Sequence, residues 1–199
     1  IRNEFFRGIR FPYITNATPN KRHDGLNIAR GAHAVDESVV KTEINAKGNA
    51  VMKLESLARM NGFASEGAHS ALFDAELTVK VLGLIKKNQP HTWDTFLRTA
   101  NRTDTETIFK KEKIFTLAEY HFGKNYRYLV APLHPKHCIH PIYQWGQAVD
   151  LKIDPVPLLE MSVSELKSAI KKLKFLRTIR SNKAPIILDA SFGLQVEPY

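Results

Sequence analysis

His69 and Asp74, five residues apart, are the residues of this 199-residue chain whose types and spacing best suit catalysis. An imidazole can accept a proton from water near neutral pH, and a carboxylate can hold a hard divalent cation. Together the two groups suit metal-assisted hydrolysis. Taken alone, a solvent-exposed histidine and an ordinary surface acid would give the same spacing.

An amphipathic helix over residues 68–87 is predicted to position this pair. Apolar residues recur there every three or four positions, as on one face of an α-helix, at Ala68, Leu72, Ala75, Val79, Leu82 and Ile85. Five residues turn a helix by roughly 140°, so His69 and Asp74 cannot lie on one stripe of it. We therefore expect His69 in the loop that leads into the helix, after Gly67, and Asp74 on the helix itself. A shorter helix is predicted from Met52 to Gly62.

The run from Met52 to Pro90 resembles the last third of the DEDDh exonuclease domain, and within that superfamily it is most similar to the bacterial exodeoxyribonuclease I family. The matching residues, in order, are Leu54 and Glu55, Asn61 and Gly62, Ala68 and His69, Asp74, and the helix that ends before Gln89 and Pro90. This resemblance implies that His69 is the general base and that Asp74 is a metal ligand. It also implies that Lys53 contacts the DNA strand.

The activity implied by the resemblance is 3′–5′ degradation of single-stranded DNA to nucleotides, with two Mg²⁺ or Mn²⁺ ions bound in the complete enzyme. The family uses four carboxylates, and here only Asp74 matches one of them. Asp104 and Glu106 have the Asp-x-Glu spacing of a missing pair, but they follow the helix instead of preceding it, and we interpret them as a chance match. Since Arg2–Arg7 resembles the segment after the family's second Asp, we expect the other carboxylates upstream of Ile1. This chain alone is then expected to be inactive.

The predicted fold has two parts. Residues 1–90 are expected to complete an α/β exonuclease domain of the ribonuclease-H-like type, with loops and short elements in residues 1–50. Residues 91–107 are interpreted as a linker, and 108–199 as a small SH3-like β-barrel with one helix over 165–176. Strands are predicted over residues 113–120, 126–132, 139–145, 148–153 and 185–188.

The charge balance favours a polyanionic partner, because 29 Lys and Arg residues face 20 Asp and Glu residues, a formal net charge of +9. Single-stranded DNA is the predicted partner. An acid-free basic run supplies the predicted contacts, Lys167, Lys171, Lys172, Lys174 and Arg177. The resemblance adds a second partner, the acidic C-terminal tail of single-stranded-DNA-binding protein, with Arg98 and Arg102 as its predicted contacts. Thr95 stands where an aromatic residue is expected beside that pocket.

The remaining sequence features concern the cellular location of the protein and its alternative functions. The single cysteine, Cys138, excludes an internal disulfide and is typical of a reducing cytoplasm. No apolar run approaches the roughly 20 residues that span a bilayer, and we expect a cytoplasmic monomer. The alternative function is a non-catalytic module that binds single-stranded nucleic acid. An RNA substrate, as in oligoribonuclease, is disfavoured because those relatives lack a second domain.

Overall fold

The computed structural model describes residues 2–15, 17, 19–63, 70–134 and 145–196. The helices of this part are α1 (Arg2–Arg7), α2 (Gly25–Val35), α3 (Leu54–Met60), α4 (Ala71–Asn88), α5 (Pro90–Leu97), α6 (Arg102–Lys111), α7 (Val156–Leu159), α8 (Val163–Leu173) and α9 (Ala190–Leu194). The strands are β1 (Glu43–Ile44), β2 (Ala50–Val51), β3 (Phe115–His121), β4 (Lys124–Pro132), β5 (Gly146–Asp150), β6 (Leu176–Ile179) and β7 (Ile186–Leu188).

Helix α2 is a regular helix in a region for which the sequence predicts loops and short elements. It begins after Asp24, whose carboxylate accepts hydrogen bonds from the backbone N–H groups of Leu26 and Asn27 at 2.9 and 3.4 Å. This N-cap satisfies backbone donors that have no partner inside the helix. The buried side chains of α2 include Ile28, Ala29 and Ala32, spaced to form one face. The helix is anchored by its cap and its apolar face, despite the glycines that punctuate its sequence.

Helices α3 and α4 lie within the two predicted helical segments, but the predicted buried face of α4 is wrong. The side chains of Leu72 and Val79 are 73% and 70% exposed. Leu77, Val81 and Ile85 form the buried face, and only Ile85 of these belongs to the predicted stripe. Apolar residues occupy two sides of α4, and the side that packs against α2 and α3 becomes the core.

The residues predicted as a linker contain helices α5 and α6. Pro90 begins α5 at a position where a missing N–H costs nothing, and Asn101 caps α6 by accepting a hydrogen bond from Asp104 N at 2.8 Å. The polar part of the predicted linker is therefore helical. It belongs to an amphipathic helix whose Ile108 and Phe109 are buried. The domain boundaries themselves stay a prediction.

Five antiparallel strands of the described residues form one sheet, in the order β6-β5-β4-β3-β7. Strands β3, β4, β5 and β7 lie at predicted strand positions. Strand β6 was missed, and residues 139–144 lie outside the described residues. The edge strands β6 and β7 do not pair with each other, so the described part of the sheet is open and the predicted barrel closure is not seen. Helix α8 begins after Ser162, which caps it and forms a capping box with Glu165. The prediction of one helix was incomplete, since α7 and α9 also lie in this region.

The sheet carries a core on each face. Ile186 and Leu188 pack with α2, α4 and α5, and Phe115, Leu117 and Ile187 pack with α6. The contact between α2 and β7 is close: a Cβ on Gly31 would stand 2.8 Å from Cγ2 of Ile186. Helix α4, which carries Asp74, therefore shares a core with one face of the sheet. No helix of the described residues is long and apolar enough to cross a membrane.

Candidate active-site cleft

Asp74 and Lys53, which the sequence assigned to one site, line the same cleft. The cleft has a volume of about 600 Å³ and lies between α2, α3 and α4. Glu55 also lines it, although no role of its own was predicted for this residue. The floor and walls are mostly apolar, and the lining residues are Gly25, Leu26, Ala29, Met52, Lys53, Leu54, Glu55, Leu57, Asp74, Thr78, Val81 and Leu82.

The first turn of α4 positions Asp74. The Ser70 hydroxyl caps this helix by accepting a hydrogen bond from Phe73 N at 3.2 Å. A carboxylate in the first turn is favoured by the partial positive charge of the helix N-terminus. Asp74 shares a helix face with Thr78 and Leu82, four and eight residues on, and the three side chains line the cleft together. The half-buried carboxylate is therefore held at a defined point of the cleft wall.

Lys53 precedes α3 as its N-cap residue and is exposed, with no side-chain hydrogen bond to the helix. A cation at a helix N-terminus opposes the helix dipole, so this position gives Lys53 no stabilising role in α3. Glu55, in the first turn of the same helix, is half-buried. The cleft thus combines one accessible cation with two carboxylates from separate helices.

Two carboxylates suit a divalent cation but supply only part of its ligands. Oxygen ligands are those that Mg²⁺ and Mn²⁺ prefer. Among the residues that the structure describes, no group of three or more His, Cys, Asp or Glu side chains could hold a metal ion. The residues present therefore fit one part of a metal site, with Asp74 and Glu55 as its candidate ligands. His69, the predicted general base, lies outside the described residues.

The acidic pair with the Asp-x-Glu spacing, Asp104 and Glu106, does not line this cleft. This position agrees with its interpretation as a chance match. Both residues belong to α6. Asp104 forms an ion pair with Lys21 at 3.1 Å, and Glu106 pairs with Arg102 one turn earlier in the helix.

The predicted DNA-binding residues of the basic run fall into two groups. Lys167, Lys171, Lys172 and Lys174 are exposed on α8 and at its end. Arg177 lies on β6 with its side chain only 18% exposed, 3.2 Å from the fully buried carboxylate of Asp150. Its guanidinium also stacks on the Tyr128 ring at 3.6 Å. Arg177 thus has an evident structural role, which the sequence could not indicate because Asp150 is 27 positions away.

Arg98 and Arg102, the predicted contacts of the acidic tail, differ in the same way. Arg98 donates two hydrogen bonds to Glu112, at 2.9 and 3.0 Å, and one to the carbonyl oxygen of Ile187 at 3.0 Å. Its side chain is 23% exposed, while that of Arg102 is 48% exposed. Arg98 therefore joins α5 to the sheet, and Arg102 is the more accessible of the two.

Two bacterial exonucleases are similar to this chain in sequence. Exodeoxyribonuclease I of Buchnera aphidicola from Acyrthosiphon pisum (strain APS) is 29% identical over 175 residues, which cover 80% of this chain and 39% of that protein. Exodeoxyribonuclease I of Escherichia coli (strain K12) is 26% identical over 206 residues, 96% of this chain and 42% of that protein. The chain is similar to exodeoxyribonuclease I. No protein-family model matches it.

Solved structures of exonuclease I are also similar to this chain in fold. The crystal structure of E. coli exonuclease I with a dA16 oligonucleotide matches 99% of this chain with a TM-score of 0.69 and 26% identity. A complex of exonuclease I with SSB-Ct matches 96% of it, and a zinc-bound form of the E. coli enzyme with single-stranded DNA matches 99%, with TM-scores of 0.68 and 0.67 and 25% identity each. These matches span 44%, 43% and 44% of the three known chains. The chain therefore spans about two fifths of the length of its exodeoxyribonuclease I relatives.

Proposed function

We propose that this chain forms one wall of the active site of a 3′–5′ exonuclease that degrades single-stranded DNA by metal-assisted phosphodiester hydrolysis. The observation that carries the proposal is the cleft that Lys53, Glu55 and Asp74 share. The similarity to exodeoxyribonuclease I, including forms bound to single-stranded DNA, supports the choice of reaction and substrate.

Each group has a distinct part in the proposed site. Asp74 is a ligand of one of two Mg²⁺ or Mn²⁺ ions, and Glu55 is placed to contribute a second carboxylate. Such ions, when bound, activate a water molecule and stabilise the charge on the attacking and leaving oxygens. Lys53 holds a phosphate of the strand as a point charge. His69 accepts the proton of the attacking water as general base.

The decisive substitution is Asp74→Asn, which keeps the side-chain shape and removes the charge that a metal ion needs. In the complete enzyme, we expect it to abolish Mg²⁺-dependent release of nucleotides from labelled single-stranded DNA while the circular dichroism spectrum is unchanged. Glu76→Gln is the matched control, because Glu76 lies on the same helix but is exposed and does not line the cleft. Full activity of the Asp74→Asn variant would remove Asp74 from the site.

A second readout does not depend on turnover. Titration with Mn²⁺ should broaden the NMR amide signals around the cleft in the unaltered protein, including those of Lys53, Glu55 and Thr78. The broadening should be lost in Asp74→Asn and retained in Glu76→Gln. Equal broadening in all three proteins would show that the ion binds elsewhere.

We also propose that the acidic C-terminal tail of single-stranded-DNA-binding protein binds near Arg98 and Arg102. The solved SSB-Ct complex of exonuclease I supports this partner. Because the side chain of Arg102 is 48% exposed and that of Arg98 only 23%, Arg102 is expected to supply the larger share of the contact. Titration with the tail peptide should be weaker for Arg102→Ala than for the control Lys110→Ala, whose lysine lies in the last turn of the same helix.

A further inference from the structure

A polar cavity of about 510 Å³ shares no lining residue with the cleft that holds Asp74, here called the Asp74 cleft. Three segments that are distant in sequence form its walls: residues 20–24 before α2, residues 100–101 between α5 and α6, and residues 182–184 between β6 and β7. Its volume is within the range of about 300–1,000 Å³ that is usual for small-molecule sites. The cavity is therefore large enough for a ligand of its own.

The side chains of this cavity carry an excess of positive charge. Lys21 is neutralised by Asp104 at 3.1 Å. Among the described residues, no ion pair engages Arg22 or Lys183, and both side chains are exposed. Asp24 is the one carboxylate among the described lining residues, and it is held as the N-cap of α2. Two cations are therefore available to a ligand.

Two helices begin at the cavity, since the N-cap residues of α2 and α6, Asp24 and Asn101, both line it. These helices have 11 and 10 residues, and the N-terminus of such a helix carries roughly half a unit of positive charge. Together with Arg22 and Lys183, and after the charge of Asp24, the two N-termini leave roughly two positive units in the cavity. A phosphomonoester carries about −1.5 to −2 at pH 7, whereas each phosphodiester of a DNA strand carries a single charge. The charge of the cavity therefore favours a phosphomonoester.

The ring of His23 adds a hydrogen-bond acceptor to the same cavity. Its Nε2 lies 2.9 Å from the carbonyl oxygen of Leu97, and since that oxygen can only accept, Nε2 carries the proton. Burial lowers the pKa of His23, so the ring is neutral at pH 7 and Nδ1 keeps its lone pair. This Nδ1 is buried and has no hydrogen-bond partner among the described residues. A buried acceptor without a partner is costly, and an N–H or O–H group of a ligand would satisfy it.

We infer that this cavity binds a nucleoside monophosphate, with Arg22 and Lys183 on its phosphate and His23 on an N–H or O–H group of its base or sugar. The phosphomonoester balances the charge, and the nucleoside supplies the donor. Among phosphomonoesters, the choice of a nucleoside monophosphate rests on the proposed function, because strand degradation releases such molecules. The location rests on the two available cations, the two helix N-termini and the unpaired Nδ1.

The experiment is an NMR titration of the isotope-labelled protein with thymidine monophosphate (dTMP), without divalent cations. We expect the amide signals of residues 22–24, 100–101 and 182–184 to shift along one binding curve. Arg22→Ala should weaken the binding of dTMP about tenfold, the effect of one charge-assisted hydrogen bond. The matched control is Arg10→Ala, because Arg10 is exposed and does not line the cavity. Equal affinities of the two variants would overturn the inference.

Thymidine and inorganic phosphate test the two halves of the ligand separately. Each should bind at least about tenfold more weakly than dTMP, because each lacks one set of contacts. His23→Phe removes Nδ1 and should lower the affinity for dTMP to that for inorganic phosphate, while phosphate itself binds unchanged. Thymidine that binds as tightly as dTMP would overturn the role of the cations. Inorganic phosphate that binds as tightly would overturn the assignment to a nucleotide. If His23→Phe does not fold, Arg22→Ala decides alone.

A third comparison separates this cavity from the binding of a DNA strand. An oligothymidylate without terminal phosphates has only phosphodiesters, so Arg22→Ala and Arg10→Ala should bind it equally. If Arg22→Ala loses the oligomer together with dTMP, the cavity is part of the path of the strand and the inference falls. Lys53→Ala, in the Asp74 cleft, should leave the shifts of residues 100–101 and 182–184 unchanged. A complete enzyme that degrades no DNA would remove the proposed function, whereas shifts of these residues by dTMP would still support the site.

Discussion

Lys53 and Arg177 carry the same charge in two regions that use it differently. In the helical region, α2 to α5, Lys53 is exposed at the mouth of a cleft and has no structural role in its own helix. In the sheet region, β3 to β7, Arg177 is largely buried and holds a carboxylate that no solvent reaches. A basic residue is therefore a candidate ligand contact only when its neighbours leave its charge unpaired. Net charge and acid-free runs cannot make this distinction.

The largest effect is expected at His69, which lies between α3 and α4 in the sequence. Proton transfer by a positioned base contributes about 10²–10⁴-fold, so His69→Ala should lower the rate of cleavage by the complete enzyme by that factor. Affinity for single-stranded DNA should change little. The comparison uses initial rates and titrations side by side, with the exposed His91→Ala as control. A loss confined to affinity would make His69 a DNA contact and remove it from the chemistry.

The next effect is expected in the sheet region, at Arg177. Replacing Arg177 by Ala leaves the buried Asp150 carboxylate without its guanidinium, and breaking such a pair typically costs about 3 kcal/mol. Urea unfolding should show this loss in the free energy of unfolding. Lys167→Ala should stay within about 0.5 kcal/mol, because its side chain is exposed.

A substitution of Asp150 provides a more specific test of the role of Arg177. Adding Asp150→Asn to Arg177→Ala should recover part of the lost stability, since a neutral amide is less costly to bury than a carboxylate that has lost its guanidinium partner. If Arg177→Ala keeps its full stability but loses DNA affinity, the structural role is wrong and the sequence-based DNA contact is right.

Local features of the structure could be predicted from the sequence. The break of the helix before Gln89 and Pro90 depends on neighbours within a few positions, and it appears where expected. The lysine before α3 and the acid on α4 were assigned together by resemblance and do share a cleft.

What the sequence could not predict depends on distant contacts. The buried face of α4 is selected by α2 and α3, so its exposed Leu72 was placed in the core by periodicity alone. The fixed position of Arg177 depends on a strand 27 residues earlier. Arg30 belonged to no motif, and only folding places its guanidinium 4.6 Å from the centre of the Tyr120 ring.

A smaller effect tests the exposed lysines of α8, which do not line the Asp74 cleft. The sequence predicts that they dominate the electrostatic binding of single-stranded DNA. Each phosphate contact contributes about 0.7 log units of affinity per decade of salt. Lys171→Glu with Lys172→Glu should flatten the measured slope if the prediction is right. An unchanged slope would show that these two lysines do not contact the DNA.

The smallest effect concerns the contact between the two regions, where His33 of α2 meets Asn125 of β4. Asn125 Nδ2 lies 2.6 Å from His33 Nδ1, and the imidazole is 5% exposed. Burial lowers the pKa of His33 below its ordinary value of 6.5, and the nearby Glu37 and Asp36 oppose this only in part. The folded state therefore prefers the neutral ring, whereas the unfolded chain takes up a proton near pH 6.5.

Since the unfolded state binds more protons below that pH, stability should fall as the pH drops from 7 to 5. Burial also lowers the pKa of His23, so this residue too should make the folded state less stable as the pH drops. His33→Gln should accordingly flatten the dependence of Tm on pH without abolishing it, and His91→Gln, at an exposed position, serves as the control. A dependence equally steep in His33→Gln would mean that protonation of His33 does not strain the junction, and that the helical and sheet regions are joined mainly by apolar packing such as that of Gly31 on Ile186.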